Sequence, residues 1–267
     1  MKPWKKLLLG LAGIFALTSL AACSSSTNTL DKVKNKGTLT VALNPHFAPF
    51  EFKTIQDGKD TIAGADIEIA KVIGDELGVK VKFSEMSFDN VLASVQSGKA
   101  DIAIAGISVT NERKKVYDFS DSYYTAENVV IVKKDKVNDF TSTDSLAKQT
   151  VGTQKGSVQE TVAKKQFSKA SVVSLASNGE MINELKSGQI QAVVLEKAIA
   201  EGYIAQNDDL TLASFNLKSD GSDAYAVAIR KGSDDLLKEI NAVIKETKVS
   251  GKFDQWLKEA SSYKQSK

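Results

Sequence analysis

The chain has 267 residues, 42% hydrophobic and 25% charged, with 35 Lys and Arg against 33 Asp and Glu. These proportions are ordinary for a globular protein, and the net charge of +2 is spread over interleaved acids and bases, so nothing points to nucleic acid. A single cysteine excludes an internal disulfide, and a single histidine gives no constellation for metal binding or acid–base catalysis.

The first six residues carry three lysines, and residues 7–20 then run without charge. That run is too short to span a bilayer comfortably but has the length of a signal-peptide core. Leu20-Ala21-Ala22 places small residues ahead of Cys23, and 24–29 are all Ser, Thr or Asn. The pattern resembles a bacterial lipobox, whose cysteine is diacylated and becomes the mature N-terminus. The expectation is a signal peptide over 1–22, lipidation at Cys23 and a tether over 23–36. Two or three acyl chains anchor stably, at roughly 0.8 kcal/mol per buried CH₂. The rest, about 240 residues, suffices for one large domain or two small ones.

Residues 39–43 read as a strand, followed by the Pro and aromatic stretch Pro45 to Phe50. Ile69, Val72, Ile73 and Leu77 share one helical face that Gly78 closes. Residues 79–83 alternate as a strand, 88–97 read as a helix ending at Gly98, and 102–105 as a short buried strand. Strands separated by helices imply parallel sheets built from βαβ units. An internal echo supports two such units: residues 95–104 and 185–194 are both a helix end, Ser-Gly, a short link and an apolar strand. Their glycines lie 90 positions apart (188 minus 98), too far for a solenoid repeat.

In α/β lobes ligands bind outside the carboxyl ends of the strands. One echoed strand is followed by 106–113, the other by Leu195 and Glu196. Arg113 is one of only two arginines, Arg230 being the other, in a chain whose default cation is lysine. A planar guanidinium grips a carboxylate bidentately. Ser108 and Thr110 add hydroxyls, and Gly106 permits close backbone approach. Ser157 and Glu160 have capping-box spacing, so a helix N-terminus is expected there as a second carboxylate seat. Glu196 can pair with an amine. Phe47, Phe50 and Phe88 are candidate walls for an apolar stem, while Phe52 and Phe119 read as core. Opposite charges on two lobes suit a zwitterion.

These residues resemble the amino-acid-binding group of ABC-importer solute-binding proteins. The resemblance runs through Phe47-Ala48-Pro49-Phe50-Glu51-Phe52, Gly64-Ala65-Asp66, Ser97-Gly98-Lys99-Ala100-Asp101, the stretch Ala105 to Lys115, Phe119 to Tyr124, and Val151 to Ser157. It implies a type II periplasmic-binding-protein fold, α/β with two mainly parallel sheets flanked by helices, joined by hinges near 123–127 and 220–224. Lobe 1 would be 37–126 and 220–267, with lobe 2, 127–219, inserted within it. By the same resemblance Arg113, Ser108 and Ser157 would bind the α-carboxylate, and Gly106, Ser108 and Glu196 the α-ammonium. Phe47 and Phe88 would sandwich the side chain, with Asn44 and Gln154 nearby. The family usually has Asp where this chain has Glu196, often Thr at 108, and often an acid near Asn44 to His46. Glu51, Glu85 and Glu127 are the acids that could compensate.

The implied function is capture of a free polar L-amino acid, neutral or basic, on the outer face of the cell membrane. That face would look onto a periplasm if the source has an outer membrane. The partners would be an ABC importer permease and, through the N-terminal lipid, the membrane. The protein would act as a monomer without cofactor, metal or catalytic residues. Two other readings stay open: a dehydratase-like enzyme on the same fold, with His46 or Glu196 as its acid–base group, and a surface interaction lipoprotein.

Overall fold

In the computed structural model the described residues are 28–263 except 57, 220 and 222; Cys23 and the expected signal segment lie outside them. The chain opens with α1 (Thr29–Lys36) and β1 (Thr38–Leu43), then a meander of β2 (His46–Phe47), β3 (Glu51–Gln56) and β4 (Lys59–Ala63). There follow α2 (Ala65–Leu77), β5 (Lys80–Glu85), α3 (Phe88–Gln96), β6 (Ile102–Ala103), α4 (Asn111–Lys114), β7 (Tyr117–Phe119) and β8 (Tyr124–Thr125). A second run holds β9 (Asn128–Lys133), β10 (Thr150–Gln154), α5 (Val158–Gln166), β11 (Ser171–Leu175), α6 (Asn178–Ser187), β12 (Ala192–Glu196), α7 (Lys197–Ala205) and β13 (Leu210–Leu212). The chain finishes with β14 (Ala224–Tyr225), β15 (Ala228–Arg230), α8 (Asp234–Val249) and α9 (Lys252–Ser261).

Two five-stranded sheets result, ordered β5-β1-β6-β15-β7 and β11-β10-β12-β9-β13. In each, the first three strands are parallel and the fourth runs against its neighbours. The α/β class and the two mainly parallel sheets expected from the sequence are therefore present. The echoed segments explain the likeness. Gly98 and Gly188, just beyond α3 and α6, have φ of 74° and 83°, a left-handed conformation that glycine adopts without penalty. Each delivers the chain into the third strand of its sheet, β6 or β12.

Helix periodicity does the packing. Ile69, Ile73 and Leu77 of α2 are buried, as are Ile240, Val243 and Ile244 of α8; α2 packs on β1 and β5 of the first sheet, and α8 packs on α2. The chain passes between the sheets twice, and at that crossing β8 and β14 pair antiparallel, Tyr124 opposite Tyr225.

One expectation needs correction. Residues 29–36, read as part of a tether, form α1, capped by the Asn28 side chain and by left-handed Gly37. Val33 is buried. The Leu30 N–H donates to Asp235 Oδ2 at 2.7 Å, and the Thr29 and Ser233 hydroxyls are 2.9 Å apart. The helix is docked on the start of α8, because one buried valine and good caps suffice once a neighbouring helix supplies the rest.

Candidate ligand-binding site

The segment after β6 is held by the second crossing. Val109 N–H donates to Ala224 O at 2.9 Å, Ala226 N–H donates to Ile107 O at 3.1 Å, and Ser108 bridges Tyr225. Gly106 has φ of 55°, and a Cβ there would sit 2.5 Å from Phe47 Cε1 and 3.2 Å from Tyr225 Cε2. Only glycine fits, so Phe47 lies directly over this backbone. The Gly106 N–H donates to Asp66 Oδ2 at 3.0 Å, and the Tyr123 hydroxyl donates to the same oxygen at 3.0 Å. Asp66 thus ties α2, the Gly106 loop and the first crossing together.

Arg113 sits in α4, which Thr110 caps through the Arg113 N–H at 3.1 Å. Its Nη1 donates to Ser108 O at 2.7 Å and its Nη2 to Gly156 O at 3.2 Å, in the opposite lobe. A guanidinium has five N–H groups, so donors remain for a ligand. A crevice of about 380 Å³ beside it is lined by Thr110, Arg113, Gly156, Ser157 and Thr161 among others. Burial lowers the Arg113 pKa to about 10, against the opposing pull of Tyr117 and Glu196; it remains charged at neutral pH.

From the second lobe, Ser157 caps α5: its hydroxyl accepts from Glu160 N–H at 3.3 Å and donates to Gln154 O at 2.7 Å. Glu160 reaches back to the Gly156 N–H at 3.0 Å, one residue before its usual capping-box partner. Glu196, the last residue of β12, is 5% exposed. Gln159 Nε2 donates to Glu196 Oε1 at 2.6 Å and to Asn128 Oδ1 at 2.7 Å. Burial pushes Glu196 up to about 7, opposed by hydrogen bonding and by Arg113.

Asn44 and Gln154 meet across the lobes, Gln154 Nε2 donating to Asn44 Oδ1 at 3.3 Å, while Asn44 Nδ2 donates to Met86 O at 2.8 Å. Lys155 pairs with Asp89 at 2.9 Å on the same seam. These contacts, with Arg113 on Gly156, describe lobes drawn together. Phe47 is buried and its ring neighbours are Phe50 at 5.6 Å and Tyr225 at 6.4 Å. Phe88, the first residue of α3, is only partly buried, against the core cluster that holds Leu43, Val91 and Val95. His46 is exposed.

Of the three compensating acids, Glu85 pairs with Lys53 at 2.8 Å and Glu127 with Lys197 at 3.2 Å, both on the surface. Glu51 is different. It is fully buried and meets no side-chain donor, its hydrogen-bonding neighbour being the carboxyl of Asp66. Burial, then neighbouring Asp66, then Glu196 hold its pKa well above the usual carboxylate range. Burial likewise raises Asp66 to about 6. Glu51 pairs with Phe47 between β3 and β2, and cross-strand partners project to the same face. The sequence pointed to Arg113, Ser108 and Glu196 individually; the contacts of Asp66, Gln159 and Tyr225 depend on tertiary burial and had no local signal. Among the described residues no group of three or more His, Cys, Asp or Glu could hold a metal ion.

Two α/β lobes crossed twice, with an arginine on one side of the seam and a carboxylate on the other, define a type II periplasmic-binding protein. The chain belongs to the bacterial extracellular solute-binding proteins, family 3, whose model matches residues 39–260. It is 34% identical over 260 residues to the arginine-binding extracellular protein ArtP of Bacillus subtilis, covering 96% of each chain. It is 32% identical to the ABC transporter glutamine-binding protein GlnH of the same organism, covering 94% of this chain and 96% of that one. Among solved structures, it resembles the amino acid ABC transporter substrate-binding protein AbpA of Streptococcus pneumoniae bound to L-arginine, with 51% identity and a TM-score of 0.84. That match covers 86% of this chain and 97% of the other. The chain is thus an amino-acid-binding transport protein, extracellular or periplasmic, and not an enzyme.

Proposed function

We propose that the protein captures a cationic L-amino acid, arginine above all, between its lobes and delivers it to an ABC importer permease while anchored by lipid at Cys23. The observation that carries the ligand class is Glu51. Burying a carboxylate is costly unless a cation or hydrogen bonds compensate it. Glu51, Asp66 and Glu196 are all buried, and the cation that acts on this cluster, Arg113, bears on Glu196. A zwitterion would bring no net charge to this cluster; a basic amino acid brings one positive charge. In this reading Arg113, with Ser108 and the α5 N-terminus at Ser157, holds the α-carboxylate. Glu196, with Ser108 and the Gly106 carbonyl, receives the α-ammonium. Phe47 and Phe88 flank the side chain, Glu51 faces its distal cation, and Asn44 with Gln154 latches the lobes. The arginine named for ArtP and for the AbpA complex supports the same choice; the glutamine named for GlnH is the neutral counterpart to test against it.

Thermal denaturation against a panel of free amino acids tests the proposal. Arginine at about 100 times its Kd should add roughly 2.7 kcal/mol of stability, with glutamine far weaker. Glu51→Gln should abolish the preference for arginine without lowering the melting temperature of the ligand-free protein, and Arg113→Ala should weaken every amino acid. A larger shift with glutamine than with arginine would overturn the cationic assignment. Labelling with radioactive palmitate, lost in Cys23→Ser, tests the anchor; equal labelling of the two proteins would refute it.

A further inference from the structure

Among the described residues, buried side-chain atoms without a conventional hydrogen-bond partner belong to four residues, Glu51, Asp66, Tyr225 and Asn178, of which Glu51 meets Asp66 and Tyr225 meets Glu196. The first three form one cluster through mutual electrostatic coupling of Glu51 with Asp66 and Glu196, and of Tyr225 with Glu196. Asn178 stands apart in sequence and comes from the other lobe. It is 1% exposed, and both its Oδ1 and its Nδ2 lack partners. A buried amide in that state forfeits the hydrogen bonds it had with water, so its retention requires an explanation. Nothing in the fold supplies one. Asn178 is the first residue of α6, where the capping work is done by its neighbour, Ser177, which accepts from the Glu180 N–H.

The position of α6 gives the explanation. Its helix packs across the lobe boundary on β2, the two-residue strand His46–Phe47. The two residues before Asn178, Ala176 and Ser177, share a crevice of about 300 Å³ with Asn44, His46 and Ser87 of the first lobe. Phe47 in that strand is the register partner of Glu51. The helix of the second lobe that Asn178 opens and the strand β3 that carries Glu51 therefore both lie against β2.

We propose that Asn178 is a specificity-determining residue: its side-chain amide hydrogen-bonds the distal end of the ligand's side chain from the second lobe, opposite Glu51. The inference rests on the reading of a cationic amino-acid ligand. Asn Oδ1 accepts from a guanidinium N–H, while Glu51 supplies the charge, so the pair distinguishes a long side chain ending in several donors from a shorter amine. Because the partner comes from the second lobe, the contact completes only when the lobes are together.

Calorimetric titration of L-arginine and L-ornithine into the wild-type protein, Asn178→Leu and Asn178→Asp tests this. Ornithine carries the same charge but stops short of the guanidinium position. Asn178→Leu should weaken arginine roughly ten- to hundredfold, the loss of a hydrogen bond to a charged group. Ornithine should change less than threefold, and the ligand-free melting temperature should not fall. Asn178→Asp should keep arginine binding and raise the arginine-to-ornithine ratio; it also decides the matter if the leucine variant does not fold. Equal losses for both ligands, or arginine binding within threefold of wild type in Asn178→Leu, would overturn the proposal while leaving the cationic reading intact. A wild-type protein that binds neither ligand would instead remove the reading beneath it.

Discussion

Glu51, Asp66 and Glu196 form a buried carboxyl cluster that can store protons. Burial raises all three pKa values, Asp66 to about 6 and Glu196 to about 7. A carboxylate raised in the folded state favours folding while it is protonated, and that contribution is lost as pH climbs through the folded value. The ligand-free protein should therefore lose stability between about pH 4 and pH 7, on the order of 3 kcal/mol for Asp66 alone. Binding of a cation reverses the preference, because it stabilises the ionised form. Arginine binding should expel protons near pH 6 and tighten as pH rises from 5 to 8. Titration in buffers of different ionisation enthalpy measures this directly; a pH-independent affinity with no proton release would contradict it. At this scale the sequence was readable where chemistry is rare and local: Arg113, rare among so many lysines, stands at the seam between the lobes. It was silent where the property is tertiary: that Glu51 is sealed against Asp66, or that Asn178 is buried without a partner, depends on the fold around them.

At the scale of elements, punctuation was legible and docking was not. Gly78, Gly98 and Gly188 end helices as their left-handed conformation demands, and the Ser157-to-Glu160 spacing starts α5. The helix α1 was missed because residues 29–36 contain a single buried side chain, Val33, too little periodicity to separate a helix from a polar tether. Its caps, Asn28 and Gly37, were the available signal. Since Val33 fills a closed position under α8, Val33→Ala should cost about 2 kcal/mol from two lost methyl-scale groups and their cavity. That corresponds to a fall of roughly 4–8 °C in melting temperature, with arginine affinity unchanged. A loss below about 0.5 kcal/mol, the size of an ordinary surface substitution, would show that α1 contributes nothing to the folded body.

For the whole molecule, the two echoed half-sheets announced the doubled architecture, whereas the insertion of one lobe in the other was accessible only through family resemblance. The antiparallel fourth strand shows why. In the second sheet it is β9, adjacent in sequence to the rest; in the first it is β15, between β6 and β7, drawn from residues 228–230. No local pattern announces a pairing at such distance. The arrangement imposes an order of events on a chain emerging from its N-terminus. Every strand of the second sheet lies within 128–212, so that lobe can assemble before the first has its fourth strand, and long-range pairing is slow in any case. Until residues 224–230 arrive, β7 has no partner and the Gly106 loop lacks the β14 backbone that holds it. In refolding followed by pulsed hydrogen exchange, amides of β9 to β13 should gain protection before those of β6, β7 and β15; simultaneous or reversed protection would refute this. The ligand site is then the last part of the molecule to be built, and a chain cut before residue 228 would hold a finished half that can bind nothing.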